Sequence, residues 1–221
     1  MIIQYRDVKD FCEVVFRGPG QLEIVQAESD SLCIEAAGSH LDQIESRVAA
    51  GRLILGLQKK DIVDLSAYHA KITFRLGVHE LKRLKVSGRA KVILPDIDRD
   101  EFYLRAAGST DVTLQRLTAD NLNVNIADSA VVQISGDVEH QTVELSGNAK
   151  LNALNLVSDH ASMRLMGRSS AEIRVNDELN SYVGEAARLT YMGYPDVEKY
   201  GAGVLTRRRK QISKTRETEH G

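Results

Sequence analysis

The chain is short of the residues that build broad or cross-linked interiors. It has no Trp, and aromatics make up 5% of its 221 residues, so its core must be mostly Leu, Ile, Val and Ala. That composition suits a narrow interior better than an aromatic-rich cleft. Three Pro argue against a disordered or proline-rich linker. Two Cys, Cys12 and Cys33, make no disulfide framework. They fall on opposite phases of the strand alternation read below, and the strict geometry of a disulfide points to two separate thiols. No apolar stretch approaches membrane-span length. The opening Met1-Ile2-Ile3-Gln4-Tyr5-Arg6-Asp7 lacks the apolar run of a secretory leader. Two expectations stay open: an intracellular protein, or an export segment upstream.

Charge is nearly balanced at −2 but uneven. From Thr206 to Gly221, Arg207, Arg208, Arg209, Lys210, Lys214 and Arg216 face Glu217 and Glu219, a net of +4 that leaves −6 for the rest. A mildly acidic body is a poor nucleic-acid surface, so no nucleic-acid partner is expected. Residues 206–221 read as a solvated basic tail. The alternative is contact with phosphates or anionic lipid.

What the chain has is a repeat of about twenty residues between Leu81 and Pro195. Six turns align: Gly88-Arg89-Ala90, Gly108-Ser109-Thr110, Asp128-Ser129-Ala130, Gly147-Asn148-Ala149, Gly167-Arg168-Ser169 and Gly184-Glu185-Ala186. A fixed period in this range is the signature of a solenoid. Inward columns are expected two residues before the turn, at Val86, Ala106, Ile126, Leu145, Leu165 and Tyr182. Another lies four before it, at Leu84, Leu104, Val124, Val143 and Met163, where Asn180 breaks the run. A shorter third column reads Ile97, Leu117, Val138 and Leu156. Their neighbours are polar, and this period-two alternation inside each repeat places one side chain inward and the next in water. Gly, and Asp more rarely, supplies the positive φ of a tight corner. The fold class is all-β, a right-handed parallel β-helix or solenoid. Six coils at about 4.8 Å spacing give a rod of about 29 Å.

Residues 1–78 read as a strand-rich N-terminal part packed on the solenoid, 79–205 as the repeats with a C-terminal cap. Glu28-Ser29-Asp30 reads as a hairpin tip, Lys59-Lys60-Asp61 as a polar break, and His40–Ala50 as either a short amphipathic helix or a strand. Tyr182, Tyr191, Tyr194 and Tyr200 are expected to cover the open end, with a sugar-binding platform as the alternative.

Arg6-Asp7-Val8-Lys9-Asp10-Phe11, Gly20-Gln21-Leu22-Glu23-Ile24, Gly51-Arg52-Leu53-Ile54-Leu55, Leu81 through Gly88, Ser146-Gly147, Tyr191-Met192-Gly193-Tyr194-Pro195 and Gly201-Ala202-Gly203 together resemble the autotransporter adhesin head GIN domain family of bacterial cell-envelope proteins. The resemblance implies a β-helix-like fold and a periplasmic or extracellular location, and it offers no catalytic residues to transfer. The Ser-Gly-Ser-Gly corners of that family have drifted here to Ala107-Gly108-Ser109-Thr110 and Ala127-Asp128-Ser129-Ala130.

No catalytic, cofactor-binding or metal-ligating residues are assigned. Asp96-Ile97-Asp98-Arg99-Asp100 starts like a calcium loop, but Glu101 stands where that loop needs Gly and Ala107 where it needs Glu. It reads as a polar corner. Of His40, His69, His79, His140, His160 and His220, only His140 and His160 are one repeat apart. They could stack on adjacent coils as a weak metal site, or be exposed residues sharing no ligand. Carboxylates that could serve a polysaccharide-cleaving β-helix are Asp111, Asp120 and Asp128, or Asp137, Glu139 and Asp159, and none forms a motif. The expected function is a non-enzymatic, adhesin-like envelope module that contacts a protein or glycan. The alternatives are a self-associating scaffold and, behind it, a polysaccharide-active enzyme.

Overall fold

The computed structural model describes residues 1–58 and 71–208. The Lys59-Lys60-Asp61 break, His69, His220 and the basic tail beyond Arg208 lie outside the described residues. Inward-facing apolar residues and outward-facing polar ones stack as one continuous 17-stranded sheet, coiled into a β-solenoid. Its repeats are β8 (Arg83–Ser87), β9 (Arg89–Asp98), β10 (Glu101–Ala106), β11 (Ser109–Ile126), β12 (Val131–Leu145), β13 (Lys150–Leu165) and β14 (Ser170–Val183). It closes with β15 (Arg188–Met192), β16 (Asp196–Tyr200) and β17 (Val204–Arg207). Every neighbouring pair in this part is parallel, and register is kept from coil to coil: Leu84↔Leu104↔Val124↔Val143↔Met163. Those five side chains are buried, so each coil closes the interior of the one before it.

The corners behave as their composition requires. Gly88, Gly108, Asp128, Gly147 and Gly167 all have positive φ, between 60° and 87°, a region open mainly to Gly and, with a penalty, Asp. Gly108 is held by more than geometry: a Cβ there would sit 2.7 Å from the Gly88 carbonyl oxygen. Asp128 makes use of its side chain instead, accepting the Gly108 N–H at 2.8 Å. The third corner residue is buried throughout: Ala90, Thr110, Ala130, Ala149 and Ser169.

The sixth corner differs from the repeat-based alignment. Leu165 pairs with Val183, not Tyr182, and Val183 is the buried residue while Tyr182 is exposed. The corner is therefore Glu185-Ala186-Ala187, with Ala187 fully buried. The cause is a shortened coil. Register runs Ala153↔Ile173 and then Val157↔Arg174, so three residues of β13 have no counterpart there. A second misalignment is at Val138. Gly136, not Val138, stands opposite Leu117 and Leu156, and Val138 pairs instead with Ala119 and Ser158.

At the N-terminal end, β2 (Glu13–Arg17) pairs parallel with β8, and β3 (Gly20–Gln26) with β9. Outside them lie β6 (Arg52–Leu57) on β2 and β7 (Thr73–Val78) on β3, again parallel. The ladder then reverses. β4 (Ser31–Ala36) is antiparallel on β7, β1 (Ile2–Arg6) antiparallel on β4, and β5 (Ile44–Ala49) antiparallel on β6. The expected hairpin at Glu28-Ser29-Asp30 is corrected by this topology, because β7 lies between β3 and β4. The ambiguous His40–Ala50 segment resolves into one helical turn (Gly38–Leu41) and strand β5. Arg6 ties this end together: its guanidinium donates to the Ile44 carbonyl at 2.7 Å, the Leu41 carbonyl at 2.9 Å and Ser46 Oγ at 2.9 Å. Phe11, Phe16, Phe74 and Phe102 are all buried in this half, which gives the four phenylalanines a common place. Cys12 and Cys33 are free.

Among the described residues Glu13 is the one buried carboxylate, its side chain 9% exposed. Lys85 Nζ lies 2.8 Å and Arg52 Nε 3.1 Å from its Oε1. Burial pushes the carboxyl up, but the hydrogen bonds and charges of Lys85 and Arg52 outweigh it and hold the group below its ordinary value. Glu13→Gln is expected to cost about 1–2 kcal/mol at neutral pH, the partners being half exposed. A depressed pKa contributes stability above the unfolded value of about 4.3 and loses it as pH falls through the folded one. Melting temperatures of wild type and variant should therefore converge on acidification below pH 4. Curves that stay parallel would show that Glu13 contributes no such linkage.

Candidate functional site

Outward-facing residues of the second half of each coil form three columns along the solenoid. The central column runs Arg83, Tyr103, Asn123, Thr142, Ser162, Asn180 and Glu198. One flank is Lys85, Arg105, Asn125, Glu144, Arg164, Tyr182 and Tyr200, and the other is Glu101, Asn121, His140, His160, Glu178 and Asp196. From Asn123 to Asn180 the middle column is short amides and hydroxyls (Asn123, Thr142, Ser162, Asn180), flanked from the His140 rung on by the longer His140, His160 and Glu178 on one side and Glu144, Arg164 and Tyr182 on the other, which leaves a shallow trough. Part of it is a pocket of about 430 Å³ between Arg83, Tyr103, Arg105, Asn123, Thr142 and Glu144. A second pocket of about 260 Å³, lined by His140, His160, Glu178 and Asn180, continues it and shares Thr142.

The trough is built by alternation. Backbone N–H and C=O groups are spent on the parallel ladders, so any ligand here meets side chains only. Arg83 stacks over Tyr103, the guanidinium carbon 4.9 Å from the ring centroid, and Arg164 stacks over Tyr182 at 5.2 Å. Asn125 Nδ2 donates to Glu144 Oε2 at 3.1 Å. Cation–π stacking of this kind fixes a flexible Arg without neutralising it.

His140 and His160 do stack: their rings are 4.8 Å apart and tilted by 19°. His160 Nδ1 lies 3.5 Å from Glu178 Oε2. Among the described residues no three His, Cys, Asp or Glu side chains converge as a metal site. Asp96 is held by a bidentate contact from Arg116, at 2.8 and 3.1 Å, and this hydrogen bonding lowers its pKa.

Three of the six candidate carboxylates do not gather. Asp111 lies opposite Lys91 and Val131 on the other sheet face, Asp128 sits at a corner, and Asp137 is opposite Thr118 and Val157. Asp120, Glu139 and Asp159 do share a ridge. Each lies between paired neighbours in register, Ala119↔Val138 and Asn121↔His140, then Val138↔Ser158 and His140↔His160. Like charges at rung spacing repel, and no groove runs between them. The tyrosines also part company. Tyr191 packs against the core, as a covering residue should. Tyr182, Tyr194 and Tyr200 are 42%, 87% and 63% exposed, so they do not cover the end. The repeat alone could have flagged the trough: Asn123 and Asn125, Thr142 and Glu144, Ser162 and Arg164 occupy the outward phase of one period.

A stack of coils with polar outward columns defines a surface-presenting β-solenoid. The chain belongs to the family described as "Putative auto-transporter adhesin, head GIN domain", whose model matches residues 10–195. No curated protein matches it. Among solved structures it is similar to a putative adhesin from Bacteroides fragilis, at 19% identity and a TM-score of 0.85, covering 93% of this chain and 96% of that one. It is also similar to a putative adhesin from Parabacteroides merdae (18%, TM-score 0.75) and a putative lipid binding protein from Parabacteroides distasonis (17%, TM-score 0.75), each match covering 94% of this chain and 96% of the other. At these identities the likeness speaks for the fold. No helix among the described residues is long and apolar enough to cross a membrane.

Proposed function

We propose that the protein is a non-enzymatic, adhesin-like module of the bacterial cell envelope or surface, and that the trough is its contact face. The observation that carries this reading is the unbroken outward column from Arg83 to Glu198, a surface fit for an elongated ligand lying along the solenoid. Membership of an adhesin family supports it. The titratable groups with catalytic potential are spread around the coil, which supports binding over turnover. Labelled protein should bind saturably to immobilised mucin or extracellular matrix. The double variant Asn123→Arg/Thr142→Arg, which fills the trough, should abolish that binding, and Lys91→Ala on another face should not. Undiminished binding by the filled variant would remove the trough from the function.

A further inference from the structure

The trough is bounded by the same device twice. Arg83 lies over its register partner Tyr103, and Arg164 over its register partner Tyr182. Arg83 and Arg164 stand four rung spacings apart along the solenoid, about 19 Å. Between them the outward side chains of the floor are Asn123, Thr142 and Ser162, which offer amides and hydroxyls, and Leu84, Leu104 and Val124 complete the pocket lining. Among the described residues, neither Arg83 nor Arg164, nor Arg105 on the flank, has a carboxylate within ion-pair distance, whereas Lys85 beside them is taken by Glu13 at 2.8 Å. Three guanidinium forks, Arg83, Arg105 and Arg164, are thus uncommitted; the carboxylates of the same columns are Glu101, Glu144, Glu178, Asp196 and Glu198, of which Glu144 lies in the pocket and accepts from Asn125. An arginine that is stacked and not ion-paired keeps its planar fork free for a carboxylate or sulfate.

Resting on the reading of the trough as the contact face, we infer that its ligand is an acidic polysaccharide. Two anionic groups of one chain engage Arg83 and Arg164, and the hydroxyls between them meet the Asn123, Thr142 and Ser162 floor. A peptide strand is disfavoured by the same observations. The face has no free backbone edge to extend, because its N–H and C=O groups are committed to the ladders on both sides. Stacked Arg on Tyr also presents a flat surface of the size of a sugar ring.

The test is calorimetric titration of the whole chain with size-defined polygalacturonate oligomers, with neutral dextran oligomers as the comparison. Binding should appear only with the acidic series and should strengthen sharply once the oligomer is long enough to reach both arginines. It should weaken as salt rises. Arg83→Ala and Arg164→Ala should each lower affinity about tenfold or more, and the long-oligomer advantage should vanish in both. Both side chains are exposed, so thermal melts should confirm folded variants. Tyr103→Phe and Tyr182→Phe, which keep the stack, should bind as wild type. Equal binding of dextran, or full affinity in the double arginine variant, would overturn the inference. So would capture by anionic phospholipid vesicles without any soluble polysaccharide binding. If the filled trough variant loses mucin binding but polygalacturonate neither binds nor competes, the contact face stands and the ligand class is wrong.

Discussion

Gly136→Ala is expected to cost more than about 4 kcal/mol, most of what a domain of ordinary stability has. Gly136 has a φ of 133° and is pressed against the preceding coil: a Cβ would overlap the Leu117 carbonyl oxygen and come within 2.6 Å of its amide nitrogen. Both are backbone atoms of a neighbouring rung, so no rotamer can relieve the overlap. Either Gly136 or Leu117 must leave the ladder, and with it the register that continues to Leu156. Gly51→Ala is the matched control. Gly51 also has a positive φ, 70°, but nothing lies within 4 Å of a Cβ built there, so only backbone strain of about 1–2 kcal/mol remains. Thermal melts followed by circular dichroism separate the two. Similar shifts in both variants would mean that conformational strain, and not coil stacking, dominates at Gly136.

Phe16→Ala is expected to destabilise by about 3–5 kcal/mol. Phe16 is fully buried between coils, on a strand paired on both sides, to β6 and β8. Its ring meets Phe74 edge to face, with centroids 5.2 Å apart and planes at 70°, a geometry that contributes beyond area burial. The cavity left by truncation is walled by ladders that cannot collapse inward without breaking pairs. Urea unfolding should show the midpoint fall at unchanged slope. A loss below about 1.5 kcal/mol would show that the N-terminal interior repacks around the gap.

Gly136 also marks the boundary between what local sequence specifies in this fold and what only coil stacking does. The corners were legible because they answer to one local demand, positive φ followed by a small buried residue, and Gly108, Asp128, Gly147 and Gly167 meet it. Gly184 misled for the same reason. It looks like a corner glycine, but the coil before it is short, and register, a non-local quantity, passes the corner to Glu185. Gly136 was unreadable because its requirement comes from a carbonyl one coil away. The antiparallel strands at the N-terminal end were equally hidden: nothing near Glu28-Ser29-Asp30 says that β7 will come between β3 and β4. The trough lay half in view. Its polar columns follow from the alternation, but the Arg-on-Tyr pairs depend on which residues of successive coils fall opposite each other. Composition points all four C-terminal tyrosines to the open end, but only Tyr191 packs against the core there, while Tyr182, Tyr194 and Tyr200 stand exposed.

The reversal of the ladder at β4, β1 and β5 has a further consequence. Those antiparallel strands cap the N-terminal end and take no part in the trough, while each regular coil pairs only with its two neighbours. A coil could therefore be duplicated or deleted between β11 and β13 without redesigning either terminus. Each such event would lengthen or shorten the distance between the Arg83 and Arg164 platforms by one rung, about 4.8 Å. Reach toward a ligand is in this architecture a quantity set by copy number, adjustable in whole steps by recombination within a single gene.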